Sequence, residues 1–303
     1  MNIGDTLRFF RSKLNYTQKE MLSNHSDPSS YSRIENGKQA IRINELEQIL
    51  DRLSVTTEEF LSFSSQDDEQ QIFRELFYYC ALHLENKVKK KKLLDYYELL
   101  KRNNTRSLRE LSNYMGIKNY FHQRWEEVDP ISDQEITLVF NYLIAKSYYI
   151  QYDFVLMSNT MHLFNSKQVD LLFNRVYPIK DEEKRDTTTK KFAYNVILNV
   201  ISMKLYERDY NAAEKFILLA KKLDRSSKNY SYRMNLQYLN NLLNYLKTGD
   251  LAYINKVYQF INLLEDIGDN FHASQINAEV KVLIYDINDI KSSDYKVGLI
   301  KDN

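Results

Sequence analysis

Ser29, Ser30 and Arg33 stand within little more than one helical turn, directly behind Asp27-Pro28. Hydroxyls and a guanidinium on the opening turns of a helix hydrogen-bond phosphate oxygens and base edges. Asp as N-cap with Pro28 in the first helical position is a start signal. Asn36-Gly37 closes the segment as a left-handed stop. Gln18 heads the preceding segment, where a side chain and a helix amino terminus meet a phosphate together. Arg8, Arg11, Lys13, Lys38 and Arg42 are the cations available to neutralise phosphates. Bulk charge gives this chemistry no help. The chain carries a net +1, and residues 1–62 hold eight Lys/Arg against nine Asp/Glu, 8 − 9 = −1. The reading therefore rests on local placement. A second reading of Arg33 and Glu35 stands beside it, in which they pair with each other or with Arg11 to hold the fold.

Several elements must position these groups. Residues 4–15 read as an amphipathic helix with Ile3, Leu7, Phe10 and Leu14 on one side. Thr17-Gln18-Lys19-Glu20 is a capping box, opening a short helix through Met21 and Leu22 that Asn24-His25-Ser26 breaks. After the Ser29–Glu35 helix come segments at Ile43–Leu53 and Thr56–Phe63, the former with Leu46, Ile49, Leu50 and Leu53 on one face. Two short helices across a tight break, backed by a first helix and a supporting fourth, make a helix-turn-helix whose second helix enters the major groove by its amino end. A helical dimerisation domain without DNA contact is the plainer alternative.

The remainder has helical period almost throughout. Six Gly and three Pro in 303 residues leave little material for turn-rich β architecture, so an all-α fold is expected. Hydrophobic residues at 43% and charged at 27% suffice for packed cores, and 24 Tyr and 15 Phe supply wedges between helices. The expected division is a DNA-binding domain at 1–64, a polar linker at 65–71 and a helical repeat domain at 72–303. Repeat turns are read at Arg208-Asp209-Tyr210, at Gly249-Asp250 and at Asp153-Phe154, with Ala213 and Ala220 where helices approach closely and Ala145 and Tyr148 in the earlier copy. Helix pairs of this kind stack into a solenoid with one concave face. On that face the register places Asn195, Asn199, Ser202 and Tyr206, then Asn240, with Lys146 and Tyr142 in the earlier copy. Carboxamides pair with a peptide backbone as donor and acceptor at once; a solvated stripe of Asn is the alternative.

Other constellations exclude much. Cys80 is the single cysteine, which leaves no internal disulfide and no multi-Cys zinc site. His25, His83, His122, His162 and His272 lack partners at metal-ligand spacing, and there is no Gly-rich phosphate loop or nucleophile elbow. Neither catalysis nor a cofactor is expected. No apolar run approaches the roughly 18 residues of a membrane span, so a cytoplasmic protein without membrane contact is expected. The basic run Lys87–Lys92 reads as a solvated helix face or a contact to flanking phosphates, and Trp125 as an anchor between helices or a cleft wall.

Thr17-Gln18-Lys19-Glu20 followed by Tyr31-Ser32-Arg33-Ile34-Glu35-Asn36-Gly37 resembles the Cro/C1-type (XRE, lambda-repressor-like) helix-turn-helix over about residues 3–63. Pro28 departs from that pattern, where a polar residue is usual. The order of parts, with Ile43-Asn44-Glu45-Leu46, Ile49-Leu50-Asp51-Arg52-Leu53 and Glu59-Phe60, is similar to the Rgg/MutR regulators. The resemblance implies degenerate TPR-like repeats, a homodimer on an inverted repeat in promoter DNA, and quorum-sensing control by a short hydrophobic peptide. A repeat domain that docks a protein instead of a peptide is the alternative. Some relatives link protomers through a cysteine near the domain junction; position 45 is Glu here, so that bond does not transfer.

Overall fold

The structure is a computed structural model and describes residues 2–21, 28–64, 68–224 and 229–284. These residues form helices and no strand. The chain divides into two compact units, Met1–His83 and Leu84–Asn303.

Unit 1 contains α1 (Ile3–Lys13), α2 (Pro28–Glu35), α3 (Ile43–Leu53), α4 (Thr57–Phe63) and α5 (Asp68–Leu82). Asn2 caps α1 by accepting from the Asp5 amide at 2.9 Å, and Thr56 caps α4 through the Glu59 amide at 3.1 Å. The capping box at Thr17 forms as expected, with the Glu20 carboxylate taking the Thr17 amide and hydroxyl, each at 2.6 Å. Residues 18–21 then continue as hydrogen-bonded turns, Met21 amide to Gln18 carbonyl at 3.3 Å. The expected contributions of Leu22 and of Asp27 as N-cap lie outside the described residues. Leu7, Phe10, Met21, Tyr31, Ile34, Leu50 and Phe60 form one buried cluster. Complete burial of one such side chain contributes about 2 kcal/mol.

Gly4 is what lets α1 lie against α2. A Cβ built there would stand 2.3 Å from the Ile34 carbonyl oxygen and 2.9 Å from that of Glu35, which no side chain tolerates. The linker differs from expectation: α5 starts at Asp68 and unit 1 runs on to His83. The helix thus opens on Asp68 and Glu69, at an amino terminus where the backbone dipole favours negative charge.

Unit 2 is a stack of helix pairs comprising α6 (Lys87–Arg102), α7 (Leu108–Phe121), α8 (Asp133–Ala145), α9 (Gln151–Thr160), α10 (Ser166–Val176), α11 (Thr187–Tyr206), α12 (Tyr210–Ala220), α13 (Tyr230–Thr248), α14 (Leu251–Asp266) and α15 (Asn270–Ile284). Alternate helices α7, α9, α11 and α13 pack in succession, while α8 meets α10 and the Phe173 ring of α10 meets Phe216 of α12 at 4.6 Å. The turns after α11 and α13 fall where repeat spacing put them, with Asp209 capping α12 and Gly249 at φ 71 ending α13. Ala213 and Ala220 are fully buried.

The earlier turn is misplaced in the sequence reading. The chain turns at 146–150, and Asp153 lies inside α9, where its carboxylate takes the Ile150 amide at 2.8 Å and the Lys146 ammonium at 2.6 Å. An acid three residues into a helix resembles a turn acid in sequence because both hold a backbone amide. Trp125 acts as an anchor: it is buried, stacked on Phe121 at 4.0 Å, and covered by the Lys90 ammonium at 5.2 Å.

Candidate DNA-contact helix and ligand cavity

The inward side of α2 is held by one carboxylate. The Glu35 side chain has 0% exposure and accepts Arg11 Nε at 2.6 Å, Arg11 Nη2 at 3.1 Å and Gln18 Nε2 at 2.7 Å. Burial alone would raise its pKa; hydrogen bonds from Arg11 and Gln18 outweigh that and hold it below the usual glutamate value. The same bond to Glu35 raises the pKa of Arg11. Arg8 reaches the Glu35 carbonyl at 3.3 Å and Asn36 Oδ1 at 2.5 Å, tying α1 to the end of α2. There Gly37 at φ 66 completes the stop, with its amide on the Ile34 carbonyl and the Lys38 amide on that of Arg33.

Of the residues expected to meet DNA, Arg11 and Gln18 are thus engaged within the fold, and Arg11 rather than Arg33 is the partner of Glu35. Arg33 is exposed and bonds to no described side chain, as is Lys38. Ser29 is exposed, and Ser30 is half-buried with its hydroxyl accepting Gln39 Nε2 at 3.0 Å. The side chain of Pro28 lies outside the described residues. The face of α2 opposite Tyr31, Ile34 and Glu35 is therefore an open strip bearing Ser29 and Arg33, set on a rigid support.

The expected peptide face is not continuous. Every residue from Val196 to Leu205 is buried, so the middle of α11 is enclosed on all sides. Asn199 and Ser202 lie inside that stretch, and the Ser202 hydroxyl donates to the Glu279 carboxylate of α15, which also accepts the Tyr238 hydroxyl at 2.7 Å. A buried carboxylate needs such donors, and α15 supplies the cover that repeat spacing did not foresee. Tyr206 is half-buried, and Asn240 accepts Lys221 Nζ at 3.2 Å. Lys146 is bound to Asp153 and to the Tyr142 hydroxyl, the latter at 3.0 Å.

Of that set only Asn195 lines a cavity formed by described residues of unit 2. It measures 930 Å³, within the range of small-ligand sites, and lies where α11 and α13 begin. Lys190, Lys191 and Leu198 line it from α11, Tyr232 and Asn235 from α13, and Glu182 from the connecting loop. Glu182 accepts the Tyr194 hydroxyl at 2.5 Å and the Asp224 amide at 3.2 Å. Burial, then Glu182, raises the Tyr194 pKa. Lys190 and Lys191 make no ion pair with a described residue. The acids at 181–183 followed by paired lysines were the signal available in the sequence. Among the described residues no three His, Cys, Asp or Glu gather to hold a metal, and no helix is long and apolar enough to cross a membrane.

Comparison with known proteins finds two family matches. Residues 89–278 match the C-terminal domain of the HTH-type transcriptional regulator Rgg, and residues 7–60 match a helix-turn-helix model. No curated protein matches significantly. Among solved structures, PrgX in complex with cCF10 aligns at TM-score 0.77 and 18% identity, covering 94% of this chain and 100% of that one. The SHP pheromone receptor Rgg2 of Streptococcus dysgalactiae aligns at 0.71 and 20%, covering 93% and 100%. A putative transcriptional regulator from Listeria monocytogenes EGD-e aligns at 0.73 and 19%, covering 93% and 96%.

Proposed function

The chain belongs to the Rgg family of helix-turn-helix transcriptional regulators, and from that premise we propose that it binds promoter DNA under the control of a short signalling peptide. The observation that carries the DNA half is the open strip of α2 bearing Ser29 and Arg33 above the buried Glu35 clamp. Arg33 reads a base edge, while Ser29, Ser30, Lys38 and Arg8 meet phosphates around the leading end at Pro28. Arg11 and Gln18 act through Glu35, fixing the angle of α2. A homodimer sets two such helices on an inverted repeat.

The peptide half draws support from the cavity and from the likeness in fold to PrgX, solved with cCF10, and to a streptococcal pheromone receptor. An apolar peptide would place side chains against Leu198 and Tyr232 while Asn195 and Asn235 pair with its backbone. Its binding would change DNA affinity through a coupling on the order of 1–3 kcal/mol. Quorum sensing in a Gram-positive bacterium is the setting this reading implies.

A mobility shift on the chain's own upstream region, with and without short apolar peptides, tests both halves. A specific shift lost in Arg33→Ala and altered by peptide in wild type, but not in Asn195→Ala, supports the reading. No preference for the upstream region over generic duplex overturns the DNA half. Stoichiometric capture of a protein partner, with no peptide bound, replaces the peptide half by a docking role.

A further inference from the structure

Helix α6 opens on Lys87, Lys89, Lys90, Lys91 and Lys92, five cations in six positions, and its acids, Asp95 and Glu98, come only later. Cations in the first turns oppose the helix dipole. They also repel one another at three- and four-residue spacing. Packing does not account for them either. The buried side of α6 is Leu93, Tyr97 and Leu100, and of the five only Lys90 is drawn in, paired with Glu127 at 2.9 Å above Trp125. Lys87, Lys91 and Lys92 are exposed and pair with no described acid.

No described acid of unit 2 pairs with Lys87, Lys91 or Lys92, and an anion from outside is the counter-charge they suit. Unit 1 presents the complementary deficit. It is acidic by one charge over residues 1–62, and of the eight cations in that stretch Arg11 is held by the buried Glu35. A protein that binds duplex by releasing counterions needs cations from somewhere, and α6 begins four residues past the end of unit 1 in sequence. We propose that Lys87, Lys91 and Lys92 form an auxiliary surface for the duplex backbone, binding phosphates without reading sequence. The proposal rests on the chain being a DNA-binding regulator, and its occupant is duplex DNA.

The test is the salt dependence of binding by the full chain and by the Lys87→Gln/Lys91→Gln/Lys92→Gln variant, between about 50 and 200 mM salt. Each protein is titrated onto the upstream region and onto a generic duplex. The expected result is a slope of log affinity against log salt that is shallower by about 2–3 on both duplexes, since each phosphate contact contributes about 0.9. The ratio of specific to generic affinity stays unchanged, and the corresponding triple Lys→Arg variant restores the slope. Lys167→Gln/Lys256→Gln, remote in sequence, leaves it unaltered. A slope equal to wild type in the folded variant overturns the proposal. So does retention on phosphatidylserine vesicles that the variant loses while its DNA slope is unchanged, which would assign the face to a membrane. A lysine-dependent slope without preference for the upstream region upholds this inference and sinks the regulator reading; preference with an unchanged slope does the reverse.

Discussion

Arg11 Nε lies 2.6 Å from Glu35 Oε1, closing an ion pair between α1 and α2 whose acid is fully sealed from water. Taking away the guanidinium strands that carboxylate. Arg11→Ala is expected to cost about 3 kcal/mol, the toll of an uncompensated buried charge. Urea titration followed by amide exchange in α1 and α2 measures it; a cost below about 0.5 kcal/mol, the level of an exposed pair, would contradict it.

The same pair sets an acid limit. Glu35 has a lowered pKa in the fold, against about 4.3 in an unfolded chain. The stabilisation is complete above that unfolded value and disappears as pH falls through the folded one. Unit 1 of the Glu35→Gln variant should start less stable and lose less between neutral pH and pH of about 3. Parallel acid profiles for variant and wild type would refute the assignment.

Two glycines in helices should respond oppositely to alanine. Gly4→Ala drives a methyl into the Ile34 carbonyl, and overpacking of that kind costs about 1–3 kcal/mol. Gly116→Ala meets only the Asn159 side chain at 3.4 Å, so the gain in helix propensity, up to about 1 kcal/mol, prevails. Thermal unfolding of the two variants decides.

Arg33→Ala should separate function from stability. It should weaken operator binding by about 1–3 kcal/mol and relax preference at one base pair, with an unchanged unfolding midpoint. Unchanged binding would move base readout away from Arg33.

Ser202→Ala and Tyr238→Phe should each lower the stability of unit 2 by about 1–2 kcal/mol, because each removes a donor from the buried Glu279 carboxylate. Asn195→Ala should leave stability alone and change peptide binding. Calorimetry of all three checks the contrast, and a stability loss confined to Asn195→Ala would reverse the assignment.

What was legible in the sequence was what neighbouring residues decide among themselves. The Thr17–Glu20 box, the Asn36-Gly37 stop and the turns at Asp209 and Gly249 each close within a few residues, and their chemistry is written in adjacent letters. Glu35 gathers Gln18 and Arg11 from 17 and 24 residues away, and Ser202 meets Glu279 across 77. Pattern reading could place Arg11 and Ser202 on the correct helices. The Arg11–Glu35 pairing stood only as an alternative to a DNA contact, and Glu279 was not seen as the partner of Ser202, because in both cases the deciding acid sits on another helix. The Lys146–Asp153 pair failed differently: its residues are close in sequence, but an acid that caps and an acid that turns look alike.

Trp125 is the sole tryptophan of the chain and lies in unit 2, buried against Phe121 with Lys90 over its face. Intrinsic fluorescence excited on the red edge is consequently blind to the amino-terminal unit and reports only the other. Melting watched by emission and melting watched by circular dichroism need not coincide, and their gap gives each unit its own transition without a label. Since Lys90 belongs to the basic run of α6, the same indole is also placed to register an anion's arrival there as a change in brightness.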